Sequence, residues 1–142
     1  MSALYDTADA LVARLKEHLL LADVPVIVDR QKDVLSELRK AIGKQTGCLI
    51  VVAWTGSPNF DEASAKLRLA STFSVTGFFK PVINDKQTPA DDIMEAVAIH
   101  LHDWKMRSDD PFMTRFVVKN ITPITPPELL AIRIDLETKT TI

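Results

Sequence analysis

The segment "AKLRLASTFSVTGFF", residues 65–79, constrains the fold more than any other part of the chain. Leu67, Leu69, Phe73, Val75 and Phe79 share one parity, with Ser71 and Gly77 as the weak positions. Lys66, Arg68, Thr72, Ser74 and Thr76 share the other. A period of two marks a strand with one face on a core and one toward water or a partner. Its length is unusual: Lys66 to Phe79 spans about 43 Å at the strand rise, whereas strands commonly run to about five or six residues. A domain of this chain length has a radius of gyration of about 14 Å. The strand is therefore predicted to bend, at Gly77, or to project from the core and pair with something beyond it.

The flanking segments supply the layers such a strand needs. Leu4, Ala8, Leu11, Leu15 and Leu19 step by three or four residues, which predicts an amphipathic helix from Ala3 to Ala22. "DVPVIVDR" reads as a short strand, placed at a sheet edge by Pro25. A second helix is expected over Asp33–Ile42, closed by Gly43. "CLIVVAW" is a continuous apolar strand of the kind buried on both faces, and "TGSPNFDEAS" is a loop.

In "KQTPADDIMEAV" Thr88 is placed to cap, Pro89 to take the first helical position, and Asp91 to close a capping box. That helix is expected to reach Lys105 or Met106. "FMTRFVVKNI" reads as a strand, "TPITPP" as a rigid extended connection, and "LLAIRIDLETKT" as a last alternating strand. The sum over residues 1–142 is a single α+β domain: a mainly antiparallel sheet of about five strands with helices packed on one face. The long strand is expected to form a hairpin with "CLIVVAW", and the last two strands a second pair.

Charge and composition narrow the function classes. With 17 basic and 19 acidic side chains the net charge is -2, which gives no electrostatic footprint for nucleic acid. Arg39, Lys40 and Lys44 alternate with Asp33 and Glu37 and read as a solvated helix face. The single cysteine, Cys48, opens an apolar strand and reads as a buried structural thiol. The first residues lack a signal-peptide pattern, and no apolar run approaches the ~20 residues of a membrane helix. A soluble chain made in a reducing cytoplasm is the expectation.

The stretch "AIHLHDW", residues 98–104, is the first candidate for chemistry. At 100° per residue from Ile93, Val97 falls near 40°, Leu101 near 80° and Trp104 near 20°, roughly one apolar face. His100 lies near −20° at its margin, and His102 near 180°, toward solvent, on the same approximate projection. Histidines two apart diverge by about 200° and do not share a metal, for which spacings of three or four are needed. The stretch therefore reads as a core wall with His100 as a hydrogen-bonded boundary residue. His18 is tied to no nucleophile, and the four glycines are dispersed, so no phosphate loop is present.

Glu137 and Lys139 in "IDLETK" have the spacing of the E-x-K element of metal-dependent nucleases, with Asp109 or Asp110 as an upstream carboxylate. Charged residues are expected there on the polar face of a strand in any case, and short motifs of this kind arise by chance. No catalytic, cofactor-binding or metal-ligating residue is assigned. Phe60 and Phe112 lie in polar segments, where each either anchors a partner or tucks back on the domain. Ile99, near 240° on the same approximate projection, stands outside the core stripe between Glu95 and Asp103. Together with Thr72, Ser74 and Thr76 they form the set of possible interface residues.

The order of elements, the long "KLRLASTFSVTGFF" strand before a helix opened by "TPADDIMEAVAIHLHDW", and the late strand "LLAIRIDLETKT" resemble the tail-terminator proteins of long-tailed bacteriophages. "LRKAIGKQTGCLIVVAWTG" is similar to a segment of the related small tail proteins of Mu-type phages. The resemblance spans nearly the whole chain and rests on order, length and patterning. It implies a structural virion protein made in a bacterial cytoplasm. Its partners would be its own copies, in a six-membered ring, the tail tube protein, and a head-tail connector or stopper docking on the ring. No catalytic residue and no cofactor are carried over. Another neck or head-tail joining component, a non-viral oligomeric binding module, and a small metal-dependent nuclease stay open beside it.

Overall fold

The computed structural model describes residues 3–18, 21, 24–29, 48–79, 90–105, 115–124 and 130–141. Their elements run α1 (Ala3–Lys16), β1 (Val26–Val28), β2 (Cys48–Gly56), β3 (Arg68–Phe79), α2 (Ala90–Leu101), β4 (Val117–Ile124) and β5 (Leu130–Thr141). The strands form one sheet in the order β1-β2-β3-β5-β4. Only β1 and β2 are parallel; every other pair is antiparallel. The expected α+β architecture, a five-stranded, mostly antiparallel sheet with helices against it, is the one observed. The helix expected over Asp33–Ile42, the Thr88 cap and the "RSDDP" break lie outside the described residues.

Alternation builds the core. Leu69, Ser71, Phe73, Val75 and Phe79 of β3 are buried with Ile50 and Val52 of β2 and Ile134 and Leu136 of β5. Against this face pack Ala8, Leu11 and Leu15 of α1 and Ile93, Met94, Val97, Ala98 and Leu101 of α2. The two weak positions of β3 each have a reason. Ser71, almost fully buried, accepts the Ser57 hydroxyl at 2.8 Å. Gly77 admits the second helix: a Cβ there would meet Met94 Sδ at 2.5 Å and the Phe79 ring at 2.7 Å. Glycine is required for close approach. On the opposite face Leu49 and Val51 are buried beside Ile27 and Phe78, so β2 is covered on both sides, as its unbroken apolar run implies.

The long strand does not end in unpaired backbone. β5 matches all 12 residues of β3, from Arg68 opposite Thr141 to Phe79 opposite Leu130. On its other side β2 pairs Thr72–Phe79, and the loop takes over where β2 stops. Ala70 N–H donates to Pro58 O (3.0 Å) and Phe60 N–H to Arg68 O (3.0 Å). A bulge at Trp54/Gly56, with Gly56 at φ 151°, makes that handover. Backbone satisfaction that the length seemed to demand from a partner comes from within the chain.

Both helices are shorter than their periodicity predicts. α1 stops at Lys16 and leaves through i,i+3 turns, His18 N–H to Leu15 O and Leu21 N–H to His18 O. A continued helix would set Leu21 about 120° away from Leu15; the tighter turns bury it at 1% exposure. α2 stops at Leu101 because Asp103 adopts φ 64° and reverses the chain. β4, by contrast, extends through Thr122 and Pro123 into what reads as a connection. As an edge strand it loses no ladder bond to a proline facing outward. Pro25 precedes the other edge, β1, as expected.

Candidate functional site

The reversal at Asp103 binds the end of α2 to the outer edge of β4. Asp103 N–H donates to Phe116 O (2.7 Å), and Phe116 N–H donates to Trp104 O (2.8 Å). One residue earlier, His102 Nδ1 accepts the Val118 N–H at 3.1 Å. An amide proton needs a lone pair, so the neutral His102 carries its own proton on Nε2. Arg115 closes the corner with Nη1 on Asp103 O (2.9 Å) and Nε 3.6 Å from the Asp103 carboxylate. Trp104 leaves the helix, half-buried, and its ring stacks on Phe116 at 5.6 Å.

His100 points the other way, to α1. Its Nε2 lies 2.8 Å from Arg14 O, a pure acceptor, so that nitrogen donates. The His18 ring meets it edge-on at 5.1 Å. "AIHLHDW" is thus the junction of α1, α2 and β4: Ala98 and Leu101 in the core, and its two histidines bonded to different elements. Above it lies an open concavity of about 600 Å³, lined by Arg14, Ile99, His100, His102, Asp103, Trp104, Lys105 and Arg115.

Beyond Val118, the rest of β4 carries no such cover among the described residues. Val117, Ile121 and Ile124 are 40–49% exposed large apolar side chains on one eight-residue edge strand.

The residues singled out by the sequence fall in different places. Ile99 is 73% exposed, as its helical angle requires. Phe60 is 42% exposed but held: Arg68 and Lys139 each place a cation 5.2 Å from its ring centre, and Arg68 also pairs with Asp61 at 3.2 Å. Thr72 donates to Gly56 O (3.0 Å) and shares a hydroxyl contact with Thr55 (2.8 Å), so its polar atom serves the bulge. Thr76 is half-buried and Ser74 is buried. The parity of these three is as read, but their face is not an open one. Phe112 lies outside the described residues, as do Asp109 and Asp110.

Glu137 and Lys139 line a shallow groove of about 330 Å³ with Arg115 and Lys119. Among the described residues no three His, Cys, Asp or Glu side chains are grouped to hold a metal ion. Cys48 is buried, and loss of solvation pushes its thiol above the ordinary value.

The exposed apolar side chains of β4, Val117 and Ile124 on one face and Ile121 on the other, and the concavity around Arg14 are the surfaces that sequence reading missed. The strand had a faint signal, an apolar run ending at a proline. The concavity had none, because Arg14, Trp104 and Arg115 meet only through the tertiary fold.

No family model matches the sequence, and no curated protein matches it. Twenty-eight chains of solved structures do match. One of them superposes over 100% of this chain and 96% of its own, with a TM-score of 0.62 at 16% identity. Likeness at that identity shows the fold alone.

Proposed function

We propose that this chain is a structural virion protein that caps the head-proximal end of a phage tail tube as a ring and offers the surface on which a head connector docks. The observation that carries the proposal is the outer strand of the sheet. A closed ring of identical subunits is built by heterologous contacts, in which one face of each copy meets a different face of the next. Such a contact needs two different, mutually complementary faces on each copy, not an active site. β4 offers an edge with three exposed apolar side chains, Val117, Ile121 and Ile124, and among the described residues its outer side is met by His102 and Trp104 at its start. Its backbone ladder is already interrupted by Lys119, Pro123 and a bulge at Val118/Asn120, so the apolar side chains rather than strand pairing carry the contact. The element order, with two long antiparallel strands and a last strand near the C-terminal end of the sequence, supports the same reading through the resemblance to tail terminators.

The DNA on either side of the gene gives the first test. Reading frames for a tail tube protein and a long helical tape-measure protein are expected there; metabolic or regulatory genes would sink the reading. The direct test adds the purified protein to polymerising tubes of the neighbouring tube protein and follows length and ends by electron microscopy. Tubes of limited length with a ring at one end are expected, and tubes that grow unchanged would overturn it.

A further inference from the structure

We infer that the concavity at the junction of α1, α2 and β4 is a binding site for an oxyanion, a phosphate or carboxylate group, with Arg14 as its central donor. The inference is independent of the ring reading. Three cationic side chains, Arg14, Lys105 and Arg115, line the same concavity of about 600 Å³, together with His100, His102 and Trp104. Two carboxylates offset them in part: Asp103 faces Arg115 (3.6 Å) and Glu17 faces Arg14 (3.4 Å). One positive charge of the five groups is left over, and Lys105 has no ion pair among the described residues.

The decisive feature is Arg14 Nε. It is buried and has no hydrogen-bond partner. A buried N–H without an acceptor is costly, and native structures rarely leave one so. The guanidinium is fixed around that orphan: it lies over the Trp104 ring at 5.5 Å, and Trp104 is itself stacked on Phe116. Nη1 is engaged by Glu17 at 3.4 Å, which leaves Nε–H and Nη2 as the donor fork, the pair that takes two oxygens of one anion. His102 adds a donor, because its Nδ1 is committed to Val118 and its proton therefore sits on Nε2. With the Asp103 carboxylate of the same lining facing Arg115, a donor fork, an ammonium and an imidazole N–H around one concavity are complementary to an oxyanion.

The chain's two tryptophans make the test internally controlled. Trp104 forms part of the site, whereas Trp54 packs on Tyr5 at the far end of α1, nine helical residues or about 13 Å from Arg14. The indole N–H resonances are followed while inorganic phosphate, or separately acetate, is titrated at constant ionic strength against chloride. A saturable shift of Trp104, with Trp54 still, is the expected result. Saturation by phosphate at the lower concentration identifies a phosphate group as the ligand chemistry, and equal or better saturation by acetate identifies a carboxylate. Arg14→Gln is expected to weaken binding by at least roughly tenfold, and Arg14→Lys, which keeps the charge but loses the fork, to weaken it too. Lys105→Gln, which removes no bond among the described residues, gives a second reading should Arg14→Gln melt early. Shifts that never saturate, that move both indoles alike, or that survive both Arg14→Gln and Lys105→Gln would overturn the inference.

Discussion

His102 Nδ1 holds the Val118 amide at 3.1 Å, so a side chain on a helix end supplies the acceptor that a neighbouring strand would supply in a wider sheet. With the two backbone bonds between Asp103, Trp104 and Phe116, it closes the first turn of the β4 edge. Removing it leaves the Val118 N–H to solvent, at a cost of about 1 kcal/mol. His102→Ala is therefore expected to speed amide exchange at Val118 selectively, with Val75 and Ile134 in the sheet centre unchanged. Uniform acceleration across the sheet would mean that the bond supports the whole fold instead.

Gly77 of β3 packs closely against Met94 of α2. A methyl group at Gly77 would overlap Met94 Sδ and the Phe79 ring, both buried. Overpacking of this kind typically costs about 1–3 kcal/mol. Gly77→Ala should lower the urea midpoint accordingly, and by less when Met94→Ala has already opened the space. Strict additivity of the two substitutions would show that they do not share that space.

These contacts mark how far the sequence could be read. A period of two needs only the strand itself, so β3 and β5 were legible from Val75 or Ile134 and their neighbours, and β2 from the unbroken apolar run around Leu49. Helix ends were not, because they are decided elsewhere: α1 stops where Leu21 must turn into the core, and α2 stops at Leu101, before Asp103, whose left-handed conformation is offset by the bond to Phe116. Ser74 shares the parity of exposed Arg68, and no pattern distinguishes them; the former is covered on its face and the latter is not. The concavity around Arg14 joins residues about 100 positions apart in sequence, a separation beyond any local period.

The buried thiol makes a prediction about pH. Desolvation holds the Cys48 thiol above the ordinary value of 9.0 in the folded chain. As pH rises through 9.0, the unfolded chain gives up that proton while the folded chain keeps it. The unfolded state then binds fewer protons, so stability falls with rising pH. This group contributes its full stabilisation below that value and progressively less above it, until the folded thiol also ionises. Cys48→Ala should flatten the decline in melting temperature above about pH 9, and native Cys48 should resist alkylation at pH 8. Rapid alkylation without unfolding would show that the strand opens around it.

Substitutions on the two candidate faces separate folding from assembly. Ser74 is 6% exposed and sits between Ala53 and Asp135, which already receives Arg133 Nε at 2.7 Å. An ammonium forced in there loses most of its hydration, and Ser74→Lys should cost roughly 2 kcal/mol or more. The polar stripe of β3 is thus a poor place to probe an interface, since lost assembly would follow from lost folding. Ile121 and Ile124, 49% and 41% exposed on the β4 edge, are better ones. Lysine there is the residue that natural edges use to prevent pairing, and the monomer should lose no more than about 1 kcal/mol. Ile121→Lys with Ile124→Lys is expected to melt near the native temperature yet fail to form a ring on tube ends, where local concentration favours assembly even if the free protein is monomeric. A double variant that still caps tubes would remove the β4 edge from the interface while leaving the capping function to another face.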